Sequence, residues 1–566
     1  MKKLNYKWLL VFFLWLISLG LRVYRLDNFP AAFHRDEVAI AYNAYSLVQT
    51  GFDEHGAGPY PLNFQSFGDY KLPGLIYFTA LFFKIFGQSL FSFRLGMALL
   101  ASLLPPIIAL LIWRLSSKFS WGLASGFWLA FSPWHLFGSR TLYEPLAGQV
   151  IFWLGMAFLF WGLKKQRFLI PSIFFILLST FFYNVPFLLA VPYFLILIFI
   201  YRFTWIKKRK TKIIFLFTFL CLVAGLILVS RMINKNLDSR WQTTIFRIYK
   251  DDKKINREIH LLTTAGLPLP LSRLFANKPY YLLKKFLEEY LKIWSFDFLF
   301  VQGDPNPWRD MGAVGIGLLL LCGLPLLVLG ITSLWRFKDK RLTYFLFFLL
   351  FISPVPSALT IDSPSTNRLQ DFLLLLTILT GIGLATGINW VYKSQRWWVK
   401  YGFGFVSLTI LLYSFTSLFF AFFVLYPKQM EVQWYQRADQ LVKEVKKVED
   451  QYQKILVNTD NAEFIYIYFA FFSPFEPLAF QKEAGWVKLG LSRVVSFDKY
   501  IFDKLPDFRK RDEANRFFTP GVERILLVDR GEYKGRKVVV KIYDWEKNMT
   551  WYARELSKED VFGTLK

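Results

Sequence analysis

Long apolar stretches separated by short polar loops dominate the chain from Trp8 to Tyr426. A helix needs about 20 apolar residues to cross the hydrocarbon core of a bilayer, and several stretches have that length. The pattern therefore predicts a mainly α-helical, polytopic membrane bundle of about eleven spans. The predicted spans are Trp8–Val23, 89–113, 121–138, 142–163, 168–183, 186–203, 212–230, 312–335, 342–360, 369–392 and 399–425.

The pattern changes after Lys428, where charged residues become frequent and the apolar runs become short. Alternating and helical periodicities in this part predict a small C-terminal α/β domain over residues 428–566, following a multispan domain over residues 1–427. Helices are predicted at 430–453 and 461–472, and strands at 454–460, 524–529 and 537–543.

The distribution of basic residues predicts the orientation. Lys and Arg are retained in cytoplasmic loops, and every second short loop of the predicted bundle is basic. This places the N-terminus in the cytoplasm, and the loops 25–88 and 232–311 and the C-terminal domain outside. The basic residues of the inner loops are Arg114, Lys118, Lys164, Lys165, Arg167, Lys207, Lys208, Arg209, Lys210, Lys212, Arg336, Lys338, Lys340, Arg341, Lys393, Arg396 and Lys400.

Composition supports a membrane protein and argues against a nucleic-acid partner. Hydrophobic residues make up 54% of the chain and charged residues 19%, whereas soluble domains carry about 25% charged residues. The net charge of +27 comes largely from clusters between apolar spans rather than from one basic face. The two cysteines, Cys221 and Cys322, lie inside apolar runs and indicate no disulfide framework.

An acidic pair, Asp36-Glu37, follows the first span by about a dozen residues on the predicted outer side. It opens a predicted short helix, 37–48, and a second apolar helix is predicted at 72–86. Both suit helices that lie in the membrane interface. Carboxylates beside hydrocarbon are costly unless they are paired or used, so this pair is a candidate site.

Three motifs in this order resemble glycosyltransferase family 39, which includes dolichyl-phosphate-mannose protein mannosyltransferases and lipid A aminoarabinose transferases. Residues 34–39, His-Arg-Asp-Glu-Val-Ala, resemble the Asp-Glu motif of that family. Residues 68–74 resemble its acidic-Lys-Pro-Pro element, and residues 139–146 its Arg and Asp-Pro/Ser-Leu element. The resemblance covers residues 1–200 well and weakens towards 425. It implies the multispan GT-C fold.

The chain departs from these motifs at three positions. Tyr70 is inserted between the acidic residue and the lysine, Gly74 replaces the second proline, and Glu144 replaces the aspartate. The C-terminal domain is not shared with the best-known members of the family.

The resemblance implies a sugar transfer from a polyprenyl-phosphate donor, catalysed by residues 1–427. Such a reaction needs a base on the acceptor hydroxyl, which a carboxylate can supply, and cations that hold the departing phosphate. Asp36 is the candidate base, with Glu37 and Asp69 as further catalytic candidates. The candidates for substrate binding are Lys71, Arg140, Glu144 and Arg368.

The resemblance also implies the partners of the protein. They are a polyprenyl-phosphate-linked sugar as donor, a lipid, glycan or protein as acceptor, and the lipid bilayer. No metal site or other cofactor is predicted. His34 and His55 lie near the acidic residues in sequence, so the sequence leaves a divalent metal open without indicating one.

Two other functions fit the same span count. A transporter or flippase of a lipid-linked glycan precursor is the alternative, although such proteins tend to place charged sites near the bilayer midplane. The third is a membrane-anchored binding protein that acts through its C-terminal domain. The sequence favours the transferase because the acidic residues gather at one predicted surface.

Overall fold

The structure is a computed structural model of the 566-residue chain. It describes residues 6–30, 32–202, 209–246, 252–306, 309, 316–426, 434–435, 437–460, 462–489, 491–531, 533, 537–544 and 546–563. These residues are mainly helical, and a β-sheet domain lies near the C-terminus. The predicted fold class, a helical bundle followed by a small α/β domain, is confirmed.

Most of the helices are apolar and are joined by short connections. The first eleven are α1 (Tyr6–Val23), α2 (Arg35–Thr50), α3 (Pro73–Phe86), α4 (Leu90–Ser102), α5 (Leu104–Ser116), α6 (Phe119–Ala130), α7 (Pro133–Gly138), α8 (Glu144–Gly162), α9 (Leu169–Thr180), α10 (Val185–Tyr201) and α11 (Arg209–Met232). The next nine are α12 (Asn234–Trp241), α13 (Asp252–Thr264), α14 (Leu269–Phe275), α15 (Lys278–Ile293), α16 (Gly323–Trp335), α17 (Lys340–Ile352), α18 (Val355–Ala358), α19 (Gln370–Lys393) and α20 (Gly404–Phe420). The C-terminal part contains α21 (Ala438–Val448), α22 (Tyr466–Phe472), α23 (Pro477–Glu483), α24 (Arg511–Phe517) and α25 (Lys558–Gly563).

The strands form a short hairpin and one larger sheet. The hairpin consists of β1 (Phe64–Ser66) and β2 (Asp69–Lys71), which pair antiparallel. The seven-stranded sheet has the order β4-β5-β6-β3-β7-β9-β8, and β3 pairs in parallel with both β6 and β7. Its strands are β3 (Lys454–Asn458), β4 (Gly485–Leu489), β5 (Leu491–Phe497), β6 (Tyr500–Asp503), β7 (Arg524–Arg530), β8 (Val538–Tyr543) and β9 (Met549–Ser557).

Among the described residues, seven helical segments are long and apolar enough to cross a membrane, judged by length and composition. Other predicted spans are helical but shorter, such as α9, α10 and α16, and part of the predicted span 312–335 lies outside the described residues. The chain is therefore a multi-pass membrane protein. The seven segments are Tyr6–Val23, Leu90–Ser116, Glu144–Gly162, Arg209–Met232, Lys340–Ala358, Gln370–Lys393 and Trp398–Leu425.

The chain divides into two compact units. The first contains residues 1–24 and 97–422, and its helices α5 and α6, α8 and α9, and α16 and α19 pack in pairs. Small residues allow the backbones of α16 and α19 to approach closely, as is common in membrane proteins. A Cβ atom on Gly330 would lie 1.9 Å from the carbonyl oxygen of Leu379, and one on Gly383 would lie 1.8 Å from that of Leu326.

The second unit contains residues 25–96 and 423–566. Its helix α2 is buried along most of its length and packs against α3, α22 and α23. The Tyr468 hydroxyl on α22 donates a hydrogen bond of 2.5 Å to the Phe33 carbonyl, and Gln481 on α23 donates one of 3.0 Å to Ser46 on α2. Thus α2 forms part of a protein core in this unit, whereas the sequence predicts a short helix that lies in the membrane interface.

The elements predicted in the C-terminal part are partly observed. Strands β3, β7 and β8 match the predicted strands, and α21 and α22 lie within the predicted helices 430–453 and 461–472. Residues 430–433, 436 and 461 of those two helices lie outside the described residues. The sequence did not predict β4, β5, β6 and β9. The predicted domain boundary at residues 427 and 428 stays a prediction.

Candidate functional site

The N-terminus of α2 brings Asp36 and Lys71 together. His34 caps the helix, and its Nδ1 accepts a hydrogen bond of 3.1 Å from the Asp36 backbone N–H. The Asp36 Oδ1 atom lies 2.8 Å from the Lys71 Nζ atom, and its side chain is 41% exposed. A carboxylate in the first turn is also favoured by the positive end of the helix dipole.

The β1–β2 hairpin positions Lys71. Its two-residue turn, Phe67-Gly68, has positive φ at both positions, 55° and 76°, as a type I′ turn requires. Lys71 pairs with Phe64 at the end of the hairpin, and its Nζ atom lies 5.7 Å from the centre of the Phe67 ring. Asp69 lies two residues before Lys71 on β2, so the two side chains share one face of the strand.

Glu37 has different partners from its neighbour Asp36. Its carboxylate is buried, and Arg94 of α4 donates to it from Nε at 2.9 Å and from Nη2 at 3.2 Å. Arg94 also donates to the carbonyl oxygens of Pro30 at 2.8 Å and Ala32 at 3.2 Å. This bidentate pair connects the start of α2 to the chain before it and to α4. These contacts favour a structural role for Glu37, whose predicted catalytic role stays a prediction.

Charge around Asp36 favours its ionised form. Burial raises the pKa of Asp36, but the positive charges of Lys71 and Arg35 and the nearby His34 outweigh that effect and hold the pKa well below its usual range. Burial lowers the pKa of His34 to about 4, so the ring is neutral at neutral pH and can accept the backbone hydrogen bond. Asp36 is therefore ionised and paired with Lys71 in this structure.

A third carboxyl group of this region, Glu54, was not predicted. It is fully buried, and burial raises the pKa of Glu54 to about 8, although Ser66 and Asn43 nearby partly offset the rise. Its backbone N–H donates to Asn43 Oδ1 at 3.0 Å. The His55 Nε2 atom lies 3.9 Å from Glu54 Oε1, and the His55 ring stacks on Trp486 with 3.7 Å between centroids. Burial lowers the pKa of His55 to about 4.

The described residues contain no group of three or more His, Cys, Asp or Glu side chains that could hold a metal ion. His34 and His55, which the sequence leaves open as ligands, have the capping and stacking contacts given above. Whether the reaction uses a divalent metal stays open, as the sequence leaves it.

In the first unit, the buried Arg140 side chain binds carbonyl groups at the end of α1. Its Nη1 donates to Leu21 at 2.8 Å and to Arg22 at 3.1 Å, and its Nη2 donates to Tyr24 at 2.6 Å. A cation at a helix C-terminus is also favoured by the helix dipole. These contacts favour an anchoring role for Arg140, whose predicted role in phosphate binding stays a prediction. Glu144 begins α8, where the dipole favours an acidic residue.

Arg368 belongs to a cluster of four charged residues in the first unit. Asp362 accepts from Arg368 Nη1 at 2.8 Å and from Arg309 Nη1 at 2.5 Å. Asp304 lies 3.5 Å from Arg309 Nη2 and accepts from the Thr366 backbone N–H at 2.7 Å. Burial raises the pKa of Asp362, but Arg368 and Arg309 lower it further and keep it below its usual range. The role of Arg368 as a phosphate ligand also stays a prediction.

Neither a family model nor a curated protein sequence matches the chain. Among solved structures, the chain is similar over 97% of its length to 97% of ArnT from Cupriavidus metallidurans bound to undecaprenyl phosphate, with 12% identity and a TM-score of 0.49. It is similar over 92% of its length to 69% of the archaeal oligosaccharyltransferase AglB from Archaeoglobus fulgidus in complex with an inhibitory peptide and a dolichol-phosphate, with 13% identity and a TM-score of 0.46.

Proposed function

We propose that this protein is an integral membrane glycosyltransferase that moves a sugar from a polyprenyl-phosphate donor to a hydroxyl group of an acceptor. In this proposal Asp36 is the base and Lys71 binds the donor phosphate. The donor class comes from the resemblance of residues 34–39, 68–74 and 139–146 to family 39, and the acceptor is a lipid, a glycan or a protein.

The observation that carries the proposal is the ion pair of 2.8 Å between Asp36 and Lys71 at the start of α2. The two residues come from different motifs and meet in one place. Asp36 keeps a partly exposed carboxylate, whereas the neighbouring Glu37 is 1% exposed and bound by Arg94. An exposed carboxylate beside a cation supplies the two kinds of group that the transfer needs.

The transfer breaks the bond between the sugar C1 and the phosphate oxygen and forms a bond from C1 to the acceptor oxygen. The phosphate leaves with the electron pair of the broken bond, and Asp36 takes the acceptor proton. Polyprenyl phosphate is a good leaving group, so the reaction needs little help from a general acid. A cation near the phosphate stabilises the charge that develops on it.

The ion pair also explains how the base becomes strong enough. A carboxylate whose pKa is held low by Lys71 attracts a proton weakly. A bound donor phosphate competes with Asp36 for the Lys71 ammonium group. As Lys71 turns towards the phosphate, the pKa of Asp36 rises, and the base gains strength when the donor is in place.

The test is the turnover of an Asp36→Asn variant of the full-length protein with labelled polyprenyl-phosphate sugars. Asparagine keeps the size of the side chain but cannot accept the proton, so turnover should fall about 10²–10⁴-fold. Donor binding should persist because the carboxylate acts on the acceptor. Asp27→Asn is the matched control, since Asp27 is exposed and lies in the segment between α1 and α2.

Near-normal turnover of a correctly inserted Asp36→Asn protein would show that Asp36 is not the base, and Asp69→Asn would then be tested in the same assay. No sugar transfer by the wild type from any of the labelled donors, together with movement of a lipid-linked precursor across vesicle membranes, would favour the transporter instead.

A further inference from the structure

A cavity of about 430 Å³ lies in the first unit, between the end of α5 and the connection from α16 to α17. Its lining includes Ser117 on the α5 side and Phe337, Lys338, Asp339 and Arg341 on the other. Sites for small ligands have volumes of roughly 300–1,000 Å³, so this cavity is large enough for a ligand. The proposed reaction uses none of these five residues.

The ends of two candidate membrane spans place the cavity at the boundary between hydrocarbon and water. The span Leu90–Ser116 ends at the cavity, and the span Lys340–Ala358 begins there. Lipid headgroups lie at the level where spans end. Trp335, the last residue of α16, is 64% exposed, and tryptophan is enriched at this level of the membrane. The cavity therefore lies at the depth of the headgroups.

Two basic loops, predicted separately from the sequence, meet at this cavity. The Phe337 ring packs against the Trp121 ring at the start of α6, with 5.0 Å between centroids. The Lys118 ammonium group lies 4.0 Å from the centre of the Trp121 ring and 4.9 Å from that of Phe337. Lys118 is thus held against the ring that forms one wall of the cavity, and its side chain is exposed.

The charged groups at the cavity leave an excess of positive charge. Asp339 caps α17 by accepting from the Arg341 backbone N–H at 3.1 Å, and the Arg341 guanidinium donates to it at 2.7 Å and 2.5 Å. This bidentate pair neutralises both side chains. The exposed Lys338 of the lining and the adjacent Lys118 then make the site cationic. Basic pockets at the ends of spans favour anionic headgroups.

We propose that this cavity binds the headgroup of an anionic phospholipid, with Lys118 and Lys338 on its phosphate group. The Ser117 hydroxyl can donate to a phosphate oxygen, and Leu115 and Phe337 offer apolar contact to the glycerol and the first part of the acyl chains. The depth of the site in the membrane selects a lipid over free phosphate. A bound headgroup joins the end of α5 to the start of α17 and stabilises the first unit. This inference is independent of the proposed reaction.

The experiment follows the melting temperature of the full-length protein, purified in a neutral detergent and depleted of lipid, during titration with phosphatidylglycerol. A ligand that binds only the folded protein raises the melting temperature as its concentration rises. Phosphatidylglycerol should act at a much lower concentration than phosphatidylcholine, whose headgroup has no net charge. Inorganic phosphate should leave the melting temperature unchanged, because it lacks the glycerol and the acyl chains.

Lys118→Gln/Lys338→Gln should weaken the apparent affinity for phosphatidylglycerol about 30-fold, because each lysine beside an anionic lipid contributes about a factor of five. The matched control is Lys393→Gln/Lys400→Gln, which removes the same charge from exposed positions in another basic loop. This control should bind like the wild type. Equal weakening in the two double variants would show a general effect of surface charge and would overturn the cavity as the binding site.

Asp339→Asn provides a test that does not depend on a loss of binding. Asparagine keeps the helix cap but removes the negative charge from the cavity, so affinity for phosphatidylglycerol should increase about fivefold. This variant decides the question if the double lysine variant does not fold, judged by its melt without lipid. Unchanged or weaker binding by Asp339→Asn, equal action of the two lipids on the wild type, or the same shift with inorganic phosphate alone would each overturn the inference.

Discussion

Asp36 and Glu37 are adjacent in the chain, and their side chains have opposite environments. Asp36 is partly exposed and contacts Lys71, while Glu37 is buried and bound twice by Arg94. Adjacent residues on a helix point in directions about 100° apart, since a turn contains 3.6 residues. The acidic pair therefore combines a partly exposed carboxylate, paired with Lys71, with a buried carboxylate that holds the start of α2 in place.

Glu37→Gln should destabilise the protein more than it impairs the chemistry. Removing one charge of a buried pair leaves the other uncompensated, which costs about 3–5 kcal/mol. We expect a clearly lower melting temperature for the purified variant, with Glu476→Gln, an exposed substitution, as the control. A Glu37→Gln protein that melts like the wild type but has lost turnover would identify Glu37 as a catalytic residue.

The pH dependence of turnover should show the release of Asp36 from Lys71. Below its pKa, Asp36 carries a proton and cannot act as a base, so activity falls as the pH decreases. The pH profile of kcat/KM reports the free enzyme and that of kcat the donor complex. Because Lys71 lowers the pKa of Asp36 in the free enzyme, the acidic limb of kcat should lie at higher pH than that of kcat/KM.

Steady-state rates of the wild type from pH 4 to pH 8, with the melting temperature followed in parallel, check this prediction, because kcat should fall towards pH 4 while kcat/KM stays level. In Lys71→Met the lysine cannot move between the two groups, so the two limbs should approach each other. If turnover depends on Asp36 but the acidic limbs of kcat and kcat/KM coincide in the wild type, Lys71 stays paired with Asp36 when the donor binds.

Part of this site could be predicted from single residues. Asp36 and Lys71 stand in two motifs, and the structure brings them to 2.8 Å. Arg94 carried a usable signal, because a charged residue in an apolar span needs a partner. Glu54 carried none, since its burial depends on the tertiary packing of the loop after α2, which no local pattern specifies.

At the scale of elements, the sequence predicted the helices and strands whose hydrophobic periodicity is unbroken. Helices α3 and α19 and the central strands β3 and β7 have continuous apolar faces, and tertiary packing agrees with the local pattern. Strand β9 mixes aromatic, charged and small residues, and its pairing with β7 and β8 comes from residues far away in the chain. Strand pairing of this kind depends on context more than on propensity.

The C-terminal part should need residues 25–96 to fold. All but one residue of α22 is fully or nearly fully buried, and helix α2 packs on α22 in the second unit. A fragment that starts at residue 428 exposes that face to water and should aggregate. A fusion of residues 25–96 to residues 428–566 through a flexible linker restores the missing helix and should give a cooperative thermal melt.

The same fusion with charged residues introduced on the buried face of α2, such as Ala41→Asp, is the matched control. It should aggregate like the isolated fragment. A soluble fragment 428–566 with a cooperative melt of its own would show that the C-terminal part is an independent domain, as the domain boundary predicted from the sequence implies.

At the scale of the whole molecule, the distribution of charge decides the orientation in the membrane. The net charge of +27 is concentrated in loops that the sequence places on one side, and the acidic pair at residues 36 and 37 follows the first span on the other. We propose that the N-terminus is cytoplasmic and that residues 25–88, 232–311 and 428–566 are extracytoplasmic. A lipid-linked sugar would then be used on the outer side of the membrane.

Single cysteines at exposed positions test this orientation. The chain has two cysteines, Cys221 and Cys322, which are first replaced by serine. New cysteines at Lys284 and Lys482 should react with a membrane-impermeant maleimide in intact cells, because both positions are exposed and predicted to lie outside. A cysteine at the exposed Lys338 should react only after the membrane is opened, since its loop is one of the basic ones. Labelling of position 482 only in opened cells would place the C-terminal part in the cytoplasm, and the reaction proposed for Asp36 would then take place on the inner side.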